Sequence, residues 1–497
     1  MDARRVPLLV ASGALVLVLA VTHRYPLGVS FDSVAYAGAA SSLIERGRLD
    51  VPLTWWDSDA AYAPLSHFPP ALPVILAAVG RVFGLDPYTG ARWLNAACIF
   101  GTVLVAAAPV ADSALALLVL SALLAGPSFI AMHLWLWSEP LFLLLVVIAV
   151  RLGVRARAEA GTLRPLILLG LCCGVATLTR YAGASLFVGF IILIATSKVS
   201  RAERVRRLLW YGGTYLATIL PWLWWLSTTA GAPRPFEFVA EDPWTEIGRP
   251  IARIVVDWFL PASLPLRQGL AIFATALVAL ALRTWRARTR DGTRIGPTAH
   301  VALVLLAVHV AFLVSARLFA DPAMPFDERI LSTAMILTAI ALAHLAKAMY
   351  GARVPVIAGM LAAGVAFVNV VATAPHVLYA VRHGHGYSSA DWAGSETIAW
   401  LRHASPGLTI FSNAPDLVCA RLPVTAKYTP AHYEAERLAE FSERVGHAAP
   451  AVVVLFDDPH VGWMLARKEL ADLPGRDDTR VFPDAVVLGW GRTGLRE

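Results

Sequence analysis

The sequence predicts an all-α polytopic membrane protein of about eleven transmembrane helices, with a large first extracytoplasmic loop and a small C-terminal extracytoplasmic α/β domain. Three observations lead there. Of 497 residues, 57% are hydrophobic and 15% charged, with a mean hydropathy of +0.62, well outside the usual range of water-soluble domains. Apolar runs of near-spanning length recur from the N-terminus to residue 373. Beyond residue 375 the apolar runs shrink to strand length, as in "LTIFS" and "AVVVLF", and alternate with helical stretches such as "SSADWAGSETIAWLRHA".

A hydrocarbon core of about 30 Å takes roughly 20 apolar residues per helix. The candidate spans centre on 7–22, 90–108, 113–130, 139–153, 164–179, 182–197, 208–228, 268–283, 298–317, 330–348 and 354–373. The first has the basic start and apolar core of a signal peptide, but no small-x-small cleavage site follows cleanly, so it reads as an uncleaved anchor. The boundaries between 113 and 153 are the least defined, because "GPSFIAMHLWLWSEP" barely interrupts the apolar pattern.

The net charge of +7 sits in short basic clusters between apolar runs and not along one polar face, which argues against a nucleic-acid partner. With the N-terminus cytoplasmic, "RLGVRARAEAGTLR", "SKVSRAERVRR", "RTWRARTRDGTR" and "KAMYGAR" all fall inside with Arg4 and Arg5, as the positive-inside rule requires. The outward loop "EFVAEDPWTEIGRP" is acidic on balance. An odd span count places the C-terminus outside, so the expected location is the cytoplasmic (inner) membrane with residues 1–375 as the membrane module and 376–497 as the outer domain. The first outer loop, about 23–89, should carry two amphipathic helices, Val34 to Arg46 and Pro70 to Phe83. The four cysteines, Cys98, Cys172, Cys173 and Cys419, have no paired spacing that points to a disulfide or a metal.

Ionisable groups at the hydrocarbon boundary cost several kcal/mol unless paired or wetted, so they are candidates for function. Five stand out: Asp32 in "FDSVAY", His67 in "LSHFPPALP", Glu139 in "LWSEPLF", Arg180 in "TLTRYAG" and Arg329 in "FDERIL". In the topology above all five fall at the outer boundary, although they span about 300 residues of sequence, and could share one site. Carboxylates there can take a proton, and guanidinium groups can hold a phosphate through charge-assisted bonds. A phosphate facing the membrane points to a lipid-linked donor. Each residue also has a plainer use. Asp32 and Glu139 could cap the helices that follow them, with Pro140 at a helix start. Arg180 could snorkel to the headgroups, His67 could be an ordinary loop residue, and Arg329 could pair with Asp327 or Glu328.

In the order "FDSVAY", "PPALP", "GARWLNA", "SEPLF", "LTRYAG" and "DERIL", residues 1 to 375 resemble the GT-C superfamily of polytopic glycosyltransferases. The branch is that of the protein O-mannosyltransferases and the lipid A aminoarabinose transferase. The resemblance implies transfer of a sugar from a polyprenyl-phosphate donor to an acceptor hydroxyl on the outer face of the membrane, with inversion at the anomeric carbon. Asp32 matches the catalytic carboxylate of the first outer loop and would act as general base. Glu139 matches a second acidic residue that would orient acceptor or sugar. Arg180, Arg329 and His67 would serve the donor phosphate. The acceptor would be a glycan, a glycolipid or a protein.

Some members of the superfamily hold a divalent metal with an acidic pair, but Ser33 follows Asp32 here. "DSD" at 57–59 has the spelling of such a pair and reads as solvated loop, so no metal or cofactor is expected to be obligatory, with a divalent metal as the alternative. "FDDP" at 456–459 reads as the exposed end of a strand. The rival reading, a transporter or flippase of a lipid-linked sugar, calls for interrupted spans and internal repeats, and no convincing repeat is present. A structural membrane subunit is the third reading. The sequence leaves the sugar unspecified.

Overall fold

A computed structural model describes residues 5–159, 162–229, 244–290, 295–320, 324–404, 407–457, 464–465, 467–470, 473–491 and 493. The chain divides into two compact units, one of residues 1–21 and 93–379 and the other of residues 22–92 and 380–497.

The first unit is helical, and each of the eleven apolar segments is occupied by helix. By length and composition, however, five described helices could each cross a membrane alone: Pro87–Val110, Leu266–Thr284, Pro297–Phe319, Glu328–Tyr350 and Val356–His383. A sixth is a broken pair, Ala114–Leu124 and Pro127–Leu134, bent by 71°. The count of eleven spans is therefore not reached. Val6–Val21, Arg164–Thr179 and Tyr181–Ala195 are apolar but short, and Glu139–Ala158 carries Arg151, Arg155 and Arg157 at its end. Pro140, Pro165 and Pro297 lie in the first turns of their helices, where a missing N–H costs nothing.

Close helix packing in this unit depends on glycine. Gly170 and Gly174 lie one turn apart, and a Cβ at either would come within 2.6 Å of helix Arg201–Thr229, at Tyr211 O and at Thr218 Cβ. Small residues at this spacing let two backbones approach in an apolar medium. Of the acidic outward loop read at 237–250, residues 237–243 lie outside the described residues, and 244–250 are helical.

The second unit is α/β. Its strands are β1 (Asp50–Val51), β2 (Leu53–Thr54), β3 (Ala63–Pro64), β4 (Thr409–Ser412), β5 (Ala426–Tyr428), β6 (Ala451–Phe456), β7 (Asp478–Val481) and β8 (Ala485–Trp490). β1 and β3 form a small antiparallel pair, and the other six form one sheet in the order β2-β5-β4-β6-β8-β7. The first four run parallel, and β8 and β7 close the edge antiparallel.

Residues 451–456 are buried throughout because the sheet is covered on both faces. Val452, Val454 and Phe456 enter one core cluster, and Ala451, Val453 and Leu455 enter the other. The strand β2 comes from the first outer loop. That loop, read from sequence as part of the membrane module, thus shares its sheet with the C-terminal residues.

Candidate functional site

In the second unit, helix Phe31–Arg46 begins three residues earlier than its amphipathic pattern suggests. Ser30 takes the N-cap position, and its N–H donates to Ser33 Oγ at 2.9 Å. Asp32 is therefore not the cap. It sits half-buried in the first turn, where a carboxylate complements the helix dipole. The exposed His67 ring meets Phe68 edge-on at 4.8 Å. Phe68 packs in turn on Phe31 and Tyr36 at 6.0 and 5.0 Å, one residue before and one turn after Asp32. An aromatic cluster thus brings the His67 loop to the turn that carries Asp32.

The "DSD" loop belongs to this unit and is tied to basic side chains. Asp59 pairs with Arg444, and Asp57 lies 3.9 Å from Arg437. Arg437 also covers the ring of the buried Trp56 at 4.5 Å. In "FDDP", Asp457 pairs with Arg467, and Asp458 and Pro459 lie outside the described residues. Among the described residues no group of three or more His, Cys, Asp or Glu is arranged to hold a metal.

In the first unit, three of the predicted residues meet. Ser138 is the N-cap of helix Glu139–Ala158, so Glu139 is its first residue and not its cap. Arg180 ends helix Arg164–Thr179 in an extended conformation. Arg329 lies in the first turn of helix Glu328–Tyr350, whose N-cap Asp327 accepts from Ile330 N–H at 2.9 Å. Both guanidinium groups pair with Glu139 Oε1. Arg329 therefore takes its charge partner from another helix and not from Asp327 or Glu328, and Arg180 does not simply reach for headgroups.

The carboxylate is 1% exposed, against 17% for Arg180 and 23% for Arg329, so the acid is sealed beneath two accessible bases. Arg180 also donates from the same nitrogen, Nη1, to Ser138 Oγ at 3.3 Å. Its Nη2 and Nε have no hydrogen-bond partner among the described residues. Two partly exposed guanidinium groups thus converge on one carboxylate oxygen, and guanidinium groups suit an anionic ligand. Glu139 Oε2 is buried with no hydrogen-bond partner among the described residues.

Two neighbours escaped the sequence reading. The Arg329 guanidinium lies 4.6 Å from the centre of the Trp137 ring, and Trp137 stacks on Trp135 at 4.7 Å and 11°. The doublet "WLW" beside Glu139 carried that signal. His309 is buried in helix Pro297–Phe319, and its Nδ1 lies 2.8 Å from Ser185 Oγ. The same hydroxyl lies 2.7 Å from Ala182 O. A lone histidine in an apolar run was the signal there.

No family model and no curated protein matches this chain. Solved structures do. One is ArnT from Cupriavidus metallidurans bound to undecaprenyl phosphate, with a TM-score of 0.59, 14% identity and 97% of each chain covered. A second is the arabinofuranosyltransferase AftD from Mycobacteria, with a TM-score of 0.58 and 15% identity, where 98% of this chain covers 40% of that one. A third is the oligosaccharyltransferase AglB from Archaeoglobus fulgidus in complex with an inhibitory peptide and a dolichol-phosphate, with a TM-score of 0.57, 11% identity, and coverage of 94% and 71%. Identities this low carry the fold and not the activity, and this chain shares its fold with these three structures.

Proposed function

We propose that the chain is a membrane glycosyltransferase that moves a sugar from a polyprenyl-phosphate donor to an acceptor hydroxyl on the outer face of the cytoplasmic membrane. The observation that carries this reading is the convergence of Arg180 and Arg329, both partly exposed, on the buried Glu139, since guanidinium groups hold phosphate through charge-assisted bonds. The likeness in fold to ArnT bound to undecaprenyl phosphate and to AglB with a dolichol-phosphate supports a lipid phosphate as the anion.

In this reading Asp32 takes the proton of the acceptor hydroxyl as its oxygen forms a bond to the anomeric carbon from the face opposite the phosphate. The bond from that carbon to the phosphate oxygen breaks, and its electron pair stays on the oxygen. Polyprenyl phosphate leaves with one more negative charge, which the arginines neutralise, so no general acid is needed. Inversion follows from the single displacement. Glu139, sealed from solvent, holds the two arginines in place. His67 serves the donor phosphate, the acceptor is a glycan, glycolipid or protein, and no metal is obligatory.

The test is transfer from a polyprenyl-phosphate sugar by purified protein, native against Asp32→Asn. A loss of about 10²-fold or more in kcat is the expected outcome, since that is the range of a positioned base. Equal rates would remove Asp32 from the chemistry. The bent pair Ala114–Leu124 and Pro127–Leu134 favours the second reading, a lipid-linked sugar transporter, to the extent that transporters use interrupted spans. Movement of labelled donor across proteoliposomes by both native protein and Asp32→Asn, without transfer by either, would select it.

A further inference from the structure

The motif "GARWLNA" and the broken pair of helices meet at one side chain. Asn95 is 2% exposed on helix Pro87–Ala107. Its Nδ2 donates to Trp135 O at 2.7 Å and to His133 O at 3.2 Å, which uses both protons of the amide. The acceptors lie where a short 3-10 turn, Ala131–Leu134, gives way to extended chain at Trp135. Backbone carbonyls freed from helix in an apolar setting need donors from elsewhere, and Asn95 supplies them.

The bend upstream is held in the same way. Asn369 Nδ2 donates to Ala122 O and to Trp258 O, each at 3.0 Å, and Thr373 Oγ1 donates to Ala125 O at 2.7 Å. A Cβ at Gly126 would lie 2.7 Å from Asn369 Oδ1, so any larger residue there would have to displace that amide. The segment between these two amides therefore reaches Trp137, Ser138 and Glu139 with its backbone tied at both ends. Trp137 then carries Arg329 on its ring, and Ser138 and Glu139 receive Arg180.

We infer that Asn95 is a positioning residue for the phosphate site: by holding the carbonyls of His133 and Trp135 it keeps the stacked indoles where Trp137 supports Arg329. The inference rests on the reading of Arg180 and Arg329 as ligands of the donor phosphate. Asn95 touches neither arginine in this arrangement and acts through the stack.

A double-mutant cycle on the full chain tests it, with KM for a polyprenyl-phosphate sugar, kcat, thermal midpoint and direct binding of undecaprenyl phosphate as readouts. Asn95→Asp keeps the shape but turns an oxygen on two carbonyls. Trp135→Phe leaves those carbonyls alone and thins the stack, and it carries the test if Asn95→Asp does not fold. Each should raise KM by about tenfold in the native background with kcat within about twofold, and neither should raise it further in an Arg329→Lys background. Effects that multiply in the double variants, or a fall in kcat at unchanged KM, overturn the inference. If Arg329→Lys itself leaves undecaprenyl phosphate binding unchanged, the phosphate reading falls and the inference with it. If Arg329→Lys weakens binding while Asn95→Asp and Trp135→Phe do not, only the inference falls.

Discussion

Two guanidinium groups share one oxygen of Glu139, and the carboxylate has almost no contact with solvent. Removing its charge would take from both cations the carboxylate they share, and breaking a buried pair of this kind costs about 3–5 kcal/mol. Glu139→Gln should therefore lower the thermal midpoint of the detergent-solubilised protein. The same change makes the arginines hungrier for an anion, so added undecaprenyl phosphate should raise the midpoint of Glu139→Gln more than that of the native chain. Equal rises in both proteins would mean that the arginines do not face the phosphate. Glu139, Arg180 and Arg329 were legible as candidates because an ionised group at an apolar boundary must be paired or wetted, but the sequence also offered Arg329 partners in Asp327 and Glu328 and did not show that the three meet. Asn95 and Trp137 were not, because a neutral amide or an indole at the end of an apolar run satisfies itself in many ways. Asp32 was legible as a residue but not as a position in its helix, since Ser30 and Asp32 are both good caps and only the backbone shows that Ser30 takes the role.

The strands β4 and β6 were readable as apolar runs too short for helices, and the burial of β6 on both faces follows from that composition. The two-residue strand β2 was not readable, because periodicity needs more residues than it has. Its place beside β5 can be followed through Cys419, whose Sγ donates to Pro52 O at 3.4 Å, while Ala426 N–H donates to the same carbonyl at 3.1 Å. Burial pushes the Cys419 thiol up, and the charge of Asp416 adds to the shift, so the neutral form persists through neutral and mildly alkaline pH. Only the thiolate reacts with a maleimide. At pH 8 Cys419 should label at least about tenfold more slowly in the folded chain than after denaturation, as peptide mapping would show. Leu53→Asp, which sets a charge in the buried strand β2, should release that protection. Fast labelling of Cys419 in the native chain would contradict the seating of β2 on the sheet.

At the scale of the whole chain, the apolar pattern located eleven helical segments but not how many of them cross the bilayer. Val6–Val21 has 16 residues, about 24 Å of helix, which is short of the roughly 30 Å of a hydrocarbon core. The pair Arg164–Thr179 and Tyr181–Ala195 is also short, with Arg180 at the turn between its helices. Crossing or not crossing changes the side of the C-terminus only for single segments. A hairpin that dips in and returns leaves the later topology as it was, whereas Val6–Val21 or the bent pair at 114–134 would each reverse it. A reporter active only outside the cytoplasm, fused after Glu497, should be active, and the same reporter fused after Lys198 in the basic loop "SKVSRAERVRR" should be silent. Activity at both positions would mean that an odd number of segments after residue 198 fails to cross. Silence at Glu497 with silence at Lys198 would mean the same for that half and would put the C-terminal sheet, with the Asp32 helix that shares its unit, on the wrong side for an outer-face transfer.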